Sequence, residues 1–408
     1  MNTRSQAAPG KTGADGPLAG IRVIDLTAVV LGPMGTQVLA DFGADVVKIE
    51  APNGDMMRSN GVSRHPGMSS IYLALNRNKR SVVLDLKTEA GRGALGKLIA
   101  GADVLVHNMR VPAIERLGFG YSAVRALNPQ IIYCAATGFG QDGPDRHKPV
   151  FDDIIQAACG LVAINQTGDD DHPAFIPSLL ADKTTGLAVA NAILAALLHR
   201  QRGGEGQYVE VPMLETMTAF VLTEHLGALM FPGDPGEPGY ARLLRGGRQP
   251  VRTRDGWACL LPYTAKHWLA FFTMAGRADL FDKYGIGNRH TRNANIRQIY
   301  DEFRKITPTR TTAEWLDICA ELDIPATPIY ALEDLPTHPH LQAVGLFEQT
   351  EHPSEGTIRQ VRPTAKFGQT PLRIRRPAPT LGEHTAEVLR EIGLTPEQIA
   401  ACAPAQSQ

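Results

Sequence analysis

The first half of the chain alternates between short apolar runs and longer segments in which apolar residues recur every three or four positions. The β-branched runs predict strands, and the periodic segments between them predict helices. Because the runs are apolar on both faces, they indicate a parallel sheet that is covered by helices on both sides. The predicted strands are 21–27, 45–50, 81–85, 103–107 and 131–135, and the predicted helices are 32–42, 89–101 and a short one from Ala113.

A Gly- and Pro-rich segment at 231–239 interrupts this pattern. Beyond it, a strand pair around Asp255-Gly256-Trp257 and several short helices predict a smaller α+β domain. We therefore expect four regions along the chain. They are a flexible polar tail at 1–17, a large α/β domain at 18–225, a small domain at 226–330, and a C-terminal segment at 331–408 that returns to the large domain.

Composition narrows the class of protein. The 408 residues include 41 Lys and Arg against 42 Asp and Glu, which argues against a nucleic-acid or membrane-surface partner. No apolar run is long enough for a membrane helix. The five scattered cysteines include no C-x-x-C pair, which favours a reducing, cytoplasmic location. The closest histidine pair, His338-Pro-His340, has no third ligand nearby, so we expect no metal site.

A glycine motif after the last predicted strand raises the possibility of a dinucleotide site. Gly138-Phe-Gly140-Gln-Asp-Gly143 matches G-x-G-x-x-G, but Pro144 follows and prevents the helix that such a site requires. An NAD-dependent dehydrogenase is therefore weakly supported. Glu50, where a ribose-binding acid would lie, is interpreted as a surface residue at a strand end. The basic cluster Arg77-Asn-Lys-Arg80 is interpreted as solvated surface or a phosphate contact.

Asp182, in the segment Ser178–Gly186, lies just before an apolar helix predicted at Leu187–Leu198. One interpretation is a helix cap, in which the carboxylate accepts bonds from backbone amides. The other is a nucleophile that the helix dipole keeps ionised. The local sequence alone leaves both open.

Six segments, in order along the chain, carry a resemblance to a known family. The chain resembles the class III coenzyme A transferases, also called the CaiB/BaiF or formyl-CoA transferase family, from Leu18 to the final helix. The resemblance implies a large Rossmann-like domain, a smaller α+β domain, and a ring-shaped chain in an interlocked homodimer. It also implies that acyl-CoA and a free carboxylic acid are substrates, with no permanently bound cofactor. The six segments are 18–27, 43–50, 76–81, 137–144, 181–186 and 379–384.

Functional residues follow from the same resemblance. Asp182 matches the family's nucleophile, which forms an acyl anhydride and then an aspartyl-CoA thioester. Gly246 and Gly247, within Arg245–Gln249, resemble the mobile glycine loop over the active site. The matching positions for CoA contacts and the thioester end are Val30, Leu84, Lys87, Asn108, Met109, Arg116, Thr137, Gly138, Phe139 and Gly140.

Two departures from relatives bear on the substrate and reaction. Oxalate-handling members carry glutamine at the position of Val30, tyrosine at that of Phe139 and arginine at that of Ala51. A less compact acid is therefore favoured, and succinyl-CoA is a candidate donor. The α-methylacyl-CoA racemases of the same fold use a histidine at the position of Phe151, which cannot transfer a proton. Asp152 and Asp153 stay open as alternative bases or as acceptors for backbone amides, and CoA transfer is preferred over racemisation. The cations that could bind a distal carboxylate are Arg146, Lys148, Arg242, Arg245 and Arg248.

Overall fold

The computed structural model describes residues 16–165, 172–233, 235–244 and 247–402. Contacts within the chain define two compact units. The large unit comprises Met1–Val221 and Ala343–Gln408, and the small unit comprises Leu222–Gln342. Each unit has its own buried apolar core.

A parallel sheet forms the centre of the large unit, as the apolar runs predict, but it has six strands and not five, because a strand at Tyr208–Pro212 was not predicted. The strand order is β3-β2-β1-β4-β5-β6. The second and third strands are therefore added on one side of β1 and the last three on the other side, so the switch point lies between β1 and β4. In doubly wound sheets, ligands bind at the carboxyl edge beside this switch point. The strands are β1 Arg22–Leu26, β2 Asp45–Glu50, β3 Lys79–Val83, β4 Val104–His107, β5 Ile132–Thr137 and β6 Tyr208–Pro212.

Helices cover both faces of this sheet because alternate strand residues point to opposite sides. Val23 of β1 packs in a core with Leu39 and Val189, whereas the next residue, Ile24, packs in a second core with Leu95. The helices are α1 Leu31–Asp41, α2 Ser70–Leu75, α3 Glu89–Ala100, α4 Val111–Arg116, α5 Tyr121–Leu127, α6 Asp152–Ala158, α7 Leu161–Ile164, α8 Leu180–Gln201 and α9 Met213–His225.

Helix α8 begins at Leu180, well before the start predicted from its apolar residues, so Asp182 lies inside the first turn. It crosses α1 closely at two glycines. A Cβ at Gly186 would lie 2.6 Å from the Leu31 carbonyl oxygen, and one at Gly35 would lie 2.8 Å from the Gly186 carbonyl oxygen. Helix α8 is also long and apolar enough to span a membrane. Half of its apolar window is buried inside the protein, as in the core helix of a globular domain, so its length and composition are weak evidence for a membrane span.

The small unit is built around aromatic side chains. Trp268, Phe271, Tyr300, Phe303 and Trp315 are buried and in ring contact with one another. The strand pair predicted around Asp255-Gly256-Trp257 is present as β7 and β8, and a third strand extends it. The elements are α10 Ala241–Leu244, β7 Val251–Arg252, β8 Trp257–Leu260, α11 Ala265–Met274, α12 Asp279–Lys283, α13 Arg289–Ala294, α14 Ile296–Ile306, α15 Thr312–Glu321 and β9 Ala326–Pro328.

The C-terminal segment packs on the large unit. An antiparallel hairpin of β10 and β11, which no pattern in the sequence predicted, is followed by two helices that lie against β3 and α3. Helix α16 Pro339–Ala343 lies at the end of the small unit. The elements of the C-terminal segment are β10 Phe347–His352, β11 Gly356–Val361, α17 Thr385–Glu391 and α18 Pro396–Cys402.

Candidate active site

Asp182 is the third residue of α8 and is only 8% exposed. The residue that caps the helix is Leu179, and it makes no side-chain capping bond. Within the described ranges, no donor hydrogen-bonds to the Asp182 carboxylate. The interpretation of Asp182 as a helix cap is therefore wrong, because its oxygens bond to none of the free amides of the first turn.

The expectation that the helix dipole keeps Asp182 ionised also needs correction. Burial, followed by the negative charges of Asp152 and Asp153, raises the pKa of the Asp182 carboxyl to about 7. These opposing effects outweigh the favourable potential of a helix N-terminus. The carboxylate is therefore a stronger base than an ordinary aspartate, and it is only partly ionised near neutral pH.

Asp152 holds the backbone beside this carboxylate. It is buried at the start of α6, and its Oδ1 accepts a hydrogen bond from the Asp182 amide at 2.9 Å. Its Oδ2 accepts a second bond from Gln156 Nε2 at 2.6 Å. The sequence left Asp152 open as an alternative base or as an acceptor for a backbone amide. In the structure it accepts a hydrogen bond from a backbone amide. Phe151 lies directly before Asp152 and is exposed.

A cavity of about 330 Å³ opens at the carboxyl edge of the sheet, beside the switch point. Residues that follow β1, β2, β3 and β4 line it, as expected for a ligand site in a doubly wound sheet. Three of the predicted CoA contacts, Leu84, Lys87 and Met109, meet here. Arg116 is exposed at the end of α4, directly before Leu117, which lines the same cavity.

Asn108 joins two loops at the switch point. Its side chain accepts a hydrogen bond from the Ala28 amide at 3.0 Å and donates one to the Ala28 carbonyl at 2.7 Å. The next residue, Val29, has a φ of 71°, which is rare for a β-branched residue and marks local strain. Val30 is 3% exposed and packs with Met57 and Leu75.

Asn108 and Met109 line a second cavity of about 230 Å³, which extends past the end of β5. Thr137, Gly138 and Phe139, all predicted to lie near the thioester, line it, together with Phe151. Met109 lines both cavities, so the two spaces adjoin at this residue. The cations along the second cavity are Arg110, Arg146 and Lys148.

The glycines of this loop are required by close packing. A Cβ at Gly138 would lie 2.1 Å from Val150 Cγ1, and one at Gly140 would overlap the Glu215 carboxylate. The Gly140 amide donates to Glu215 Oε1, and the Gln141 amide donates to Glu210 Oε1, both at 2.8 Å. These two amides are therefore engaged with carboxylates of the protein. The packing explains the G-x-G spacing without a dinucleotide.

Glu210 and Glu215 shape this site but were not predicted from the sequence. Glu210 lies on β6, and Glu215 lies in the first turn of α9, where the helix dipole favours a carboxylate. The available sequence signal was Glu215, a glutamate three residues after the proline that ends a strand. It does not reveal the partner loop, which lies far away in the sequence.

The glycine loop lies in the small unit. Arg245 and Gly246 are outside the described residues. Gly247 has a φ of 67°, and its carbonyl accepts a hydrogen bond from Arg304 Nη1 at 2.5 Å. The role of this loop stays a prediction.

Two interpretations of charged residues in the large unit are wrong. Glu50 is not on the surface; it is 4% exposed and hydrogen-bonds to Arg58 at 2.7 Å and to Ser81 at 2.7 Å. The basic cluster is neither solvated nor free for phosphate, since Arg77, Lys79 and Arg80 are buried and pair with acids of the large unit. The sequence pattern missed these pairs because their partners lie on other strands and helices.

No group of three or more His, Cys, Asp or Glu side chains in the described part of the chain could hold a metal ion. The structure brings together two adjoining cavities with several cations along one of them. Asp182 is not among the residues that line either cavity. It is connected to the second cavity through Asp152, which accepts a hydrogen bond from its amide and directly follows Phe151 of that lining. Cavities beside a sheet edge with cations along them suit an anionic nucleotide. A buried carboxylate of raised pKa suits nucleophilic attack on an acyl group.

Comparison with known proteins agrees with this chemistry. The model of a family described as "CoA-transferase family III" matches residues 18–385. The chain is similar to the succinate–glutarate CoA-transferase of Agrobacterium fabrum, with 36% identity over 389 residues that cover 92% of this chain and 96% of the relative. It is also similar to the formyl-CoA:oxalate CoA-transferase of Escherichia coli O157:H7, with 33% identity over 410 residues that cover 94% and 98%.

A solved structure extends the likeness to the fold. The crystal structure of a CaiB/BaiF family protein from Brucella suis is similar to this chain with a TM-score of 0.77 and 29% identity. The match covers 93% of this chain and 100% of that one. It includes the parallel sheet described above.

Proposed function

Because this chain belongs to the class III coenzyme A transferases, we propose that it moves CoA from a dicarboxylyl-CoA such as succinyl-CoA to a free carboxylic acid, with Asp182 as nucleophile. The enzyme class and the use of CoA thioesters follow from family membership. The identity of the acids and the role of Asp182 are the proposal.

The reaction begins when an Asp182 oxygen attacks the thioester carbonyl of the donor. The C–S bond breaks, CoA leaves as a thiolate, and a mixed anhydride forms. The thiolate then attacks the aspartyl carbonyl carbon of this anhydride, which forms an aspartyl-CoA thioester and releases the donor acid as a carboxylate. An acceptor carboxylate repeats these steps in reverse, so Asp182 is regenerated and no net proton is consumed.

The state of the Asp182 carboxylate is the single observation that most supports this proposal. It is buried at a helix start, no donor among the described residues bonds to it, and its pKa is raised to about 7. An oxygen that accepts no hydrogen bonds keeps its electron pairs available for attack, and a higher pKa accompanies greater nucleophilicity. Its backbone is meanwhile held in position by Asp152.

A dicarboxylate substrate is supported by charge and by relatives. Arg110 and Arg146 along the second cavity have no carboxylate partner among the described residues, whereas Lys148 pairs with Asp145 at 2.8 Å. The Agrobacterium relative acts, by its name, on succinate and glutarate. Val30 and Ala51, which replace the polar residues of oxalate-handling members, are consistent with an acid longer than oxalate.

Three further properties belong to this proposal. We infer an interlocked homodimer of ring-shaped chains, a Gly246–Gly247 loop that closes over the reacting groups, and a cytoplasmic location. All three are supported by family membership alone. Sedimentation of the purified protein, with a dimer expected, is the first check of the assembly.

Intact-mass analysis after incubation with succinyl-CoA tests the mechanism. We expect an adduct on the wild-type chain that maps to Asp182 by peptide analysis and is released by hydroxylamine. The variant Asp182→Ala should form no adduct and lose at least about a thousandfold in transfer rate, as expected when a nucleophile is removed.

Asp153→Asn is the matched control, since it removes an exposed carboxylate from the same region. It should form the adduct and keep the transfer rate within a few-fold. Transfer at the wild-type rate by Asp182→Ala would contradict the proposal. Exchange of the α-proton with deuterated water in the wild type would indicate the racemase alternative instead.

A further inference from the structure

A group of arginines in the small unit has no acid to balance it. Arg242, Arg248, Arg289 and Arg292 form no ion pair with any carboxylate among the described residues. Asp301 pairs with Arg304, and Glu302 lies near Lys305 and Arg277, so the nearby acids on α14 are already engaged. The excess positive charge is therefore local to this group.

Two of these arginines are partly buried and incompletely hydrogen-bonded. Among the described residues, the buried Nε and Nη2 atoms of Arg242 have no hydrogen-bond partner, and neither does the buried Nε of Arg292. Arg292 Nη1 donates to the Ile286 carbonyl at 2.6 Å, which fixes the position of this side chain. Buried guanidinium nitrogens without acceptors are costly, so such an arrangement needs an explanation such as a missing anion.

The arginines are close enough to repel each other. Burial lowers the pKa of Arg292, and the charges of Arg242 and Arg289 lower it further. Like charges in this arrangement destabilise the folded chain unless an anion lies between or beside them.

Tyr300 adds a third donor. Its side chain is 2% exposed, and among the described residues its hydroxyl makes no hydrogen bond of normal geometry, although Arg242 lies close enough to interact with it. Arg242 and Arg248 are near enough to oppose the rise in the Tyr300 pKa that burial causes. The Tyr300 hydroxyl and the Arg242 guanidinium therefore lie in one neighbourhood.

The geometry of Arg242 favours a carboxylate. Its unpartnered Nε and Nη2 are on the same edge of the guanidinium, which is the edge that binds the two oxygens of a carboxylate in parallel. Its Cζ lies 4.4 Å from the centroid of the Tyr263 ring, so stacking holds the plane of the guanidinium. The donor edge is thereby oriented before any ligand arrives.

We propose that Arg242, Arg292 and the Tyr300 hydroxyl form a carboxylate-binding subsite, and that a small dicarboxylic acid occupies it. The binding of an anion is argued from the small unit alone. The identification of the anion as a dicarboxylic acid rests on the proposed function. Inorganic phosphate is also an anion that arginines bind, so the test below measures phosphate and a dicarboxylate separately.

Thermal unfolding and calorimetry of the full-length protein, with glutarate, butyrate and inorganic phosphate as separate probes, test the proposal. Glutarate should raise the melting temperature of the wild type and show measurable binding by calorimetry. Butyrate and phosphate should give a smaller temperature shift and weaker binding. Arg242→Met should weaken glutarate binding by about tenfold or more, because a charge-assisted pair of hydrogen bonds is lost. Tyr300→Phe should weaken it by a smaller factor.

The melting temperature without ligand gives a second, independent readout. Removing Arg242 relieves its repulsion with Arg292, so Arg242→Met should melt at or above the wild-type temperature in the absence of glutarate. Arg297→Met, which removes an exposed arginine from α14, is the control and should leave glutarate binding unchanged. If Arg242 only stabilised the fold, Arg242→Met would melt at a lower temperature than the wild type in the absence of glutarate.

The outcomes separate this proposal from the proposed function. Unchanged glutarate binding in Arg242→Met, or no binding to the wild type, overturns the subsite. Stronger binding of phosphate than glutarate overturns the choice of a dicarboxylate, and a change of oligomeric state in Arg242→Met would assign the arginines to a contact between chains. Glutarate binding should persist in Asp182→Ala, so a failure of the nucleophile does not decide the subsite.

Discussion

Buried carboxylates occur in two different settings in the large unit. Asp25 and Glu50 lie at or near the carboxyl ends of β1 and β2, and each is surrounded by donors. Asp25 accepts bonds from the Thr27 and Thr36 hydroxyls and from Lys79 Nζ at 3.2 Å. Asp182 is buried to a similar degree at the start of α8, yet its carboxylate has no donor among the described residues.

The pKa values follow this difference in partners. Burial alone would raise the pKa of Asp25, but Lys79, Lys48 and the two hydroxyls lower it overall. Glu50 behaves in the same way through Arg58, Lys48 and Ser81. Burial and neighbouring acids instead raise the pKa of Asp182. The pairing of Asp25 and Glu50 therefore suits charges that stabilise the fold, whereas the missing donors at Asp182 support its proposed role as a nucleophile.

Removing one charge from each setting should have opposite effects on stability. Asp25→Asn leaves Lys79 and Lys48 in the core with less negative charge and should lower the free energy of unfolding by about 3–5 kcal/mol. Asp182→Asn removes a carboxylate that the folded state disfavours and should raise it by up to about 4 kcal/mol above neutral pH. Urea unfolding of the three proteins measures both changes.

The sign of the Asp182 effect depends on pH. Because the folded pKa is about 7 and the unfolded value is 3.8, the folded chain holds an extra proton between these values. The wild type therefore loses stability relative to Asp182→Asn as the pH rises through this range. Equal losses of stability in both variants would remove the distinction between the two settings.

The next effect concerns the rate of adduct formation. Because the ionised carboxylate attacks the thioester in the proposed mechanism, the single-turnover rate with succinyl-CoA should rise with pH and level off above an apparent pKa near 7. Asp152→Asn removes the nearest negative charge and should lower this apparent pKa by about one unit. Asp153→Asn, the exposed neighbour, should lower it less.

Rapid-quench measurements across roughly pH 5 to 9 determine these profiles. The Asp152→Asn side chain keeps an oxygen that can accept the Asp182 amide, so the backbone contact can persist. A profile without a transition near pH 7, or an unchanged one in both variants, would contradict the electrostatic origin of the Asp182 pKa.

Much of the fold could be predicted from the pattern of apolar residues. The predicted segment at 45–50 coincides with β2, and the other predicted strands overlap the observed ones. Short apolar runs require a buried parallel sheet, and that requirement depends only on local sequence. The hairpin of β10 and β11 was missed because its residues are half exposed and its charged positions hide the alternation.

The site was harder to predict because its contacts join distant segments. The sequence pointed to Asp182, but the start of α8 at Leu180 and the bond from the Asp182 amide to Asp152 depend on packing against another helix. Pairs such as Lys79 with Asp25 are likewise invisible without the sheet order. Composition indicates charges, and only the fold determines which of them are paired.

The smallest expected effect concerns the strained backbone beside the first cavity. Val29 has a φ of 71°, and its amide donates to Asp55 Oδ1 at 3.2 Å, whereas Val30 has a φ of −122°. Val29→Gly relieves strain worth about 1 kcal/mol while losing a half-buried side chain, so its unfolding free energy should change by less than about 1 kcal/mol. Val30→Gly loses a buried side chain without that relief and should cost about 2–4 kcal/mol. Equal costs in urea unfolding would mean that the backbone at Val29 is not strained, and the switch point would then owe its shape to the Asn108 bonds alone.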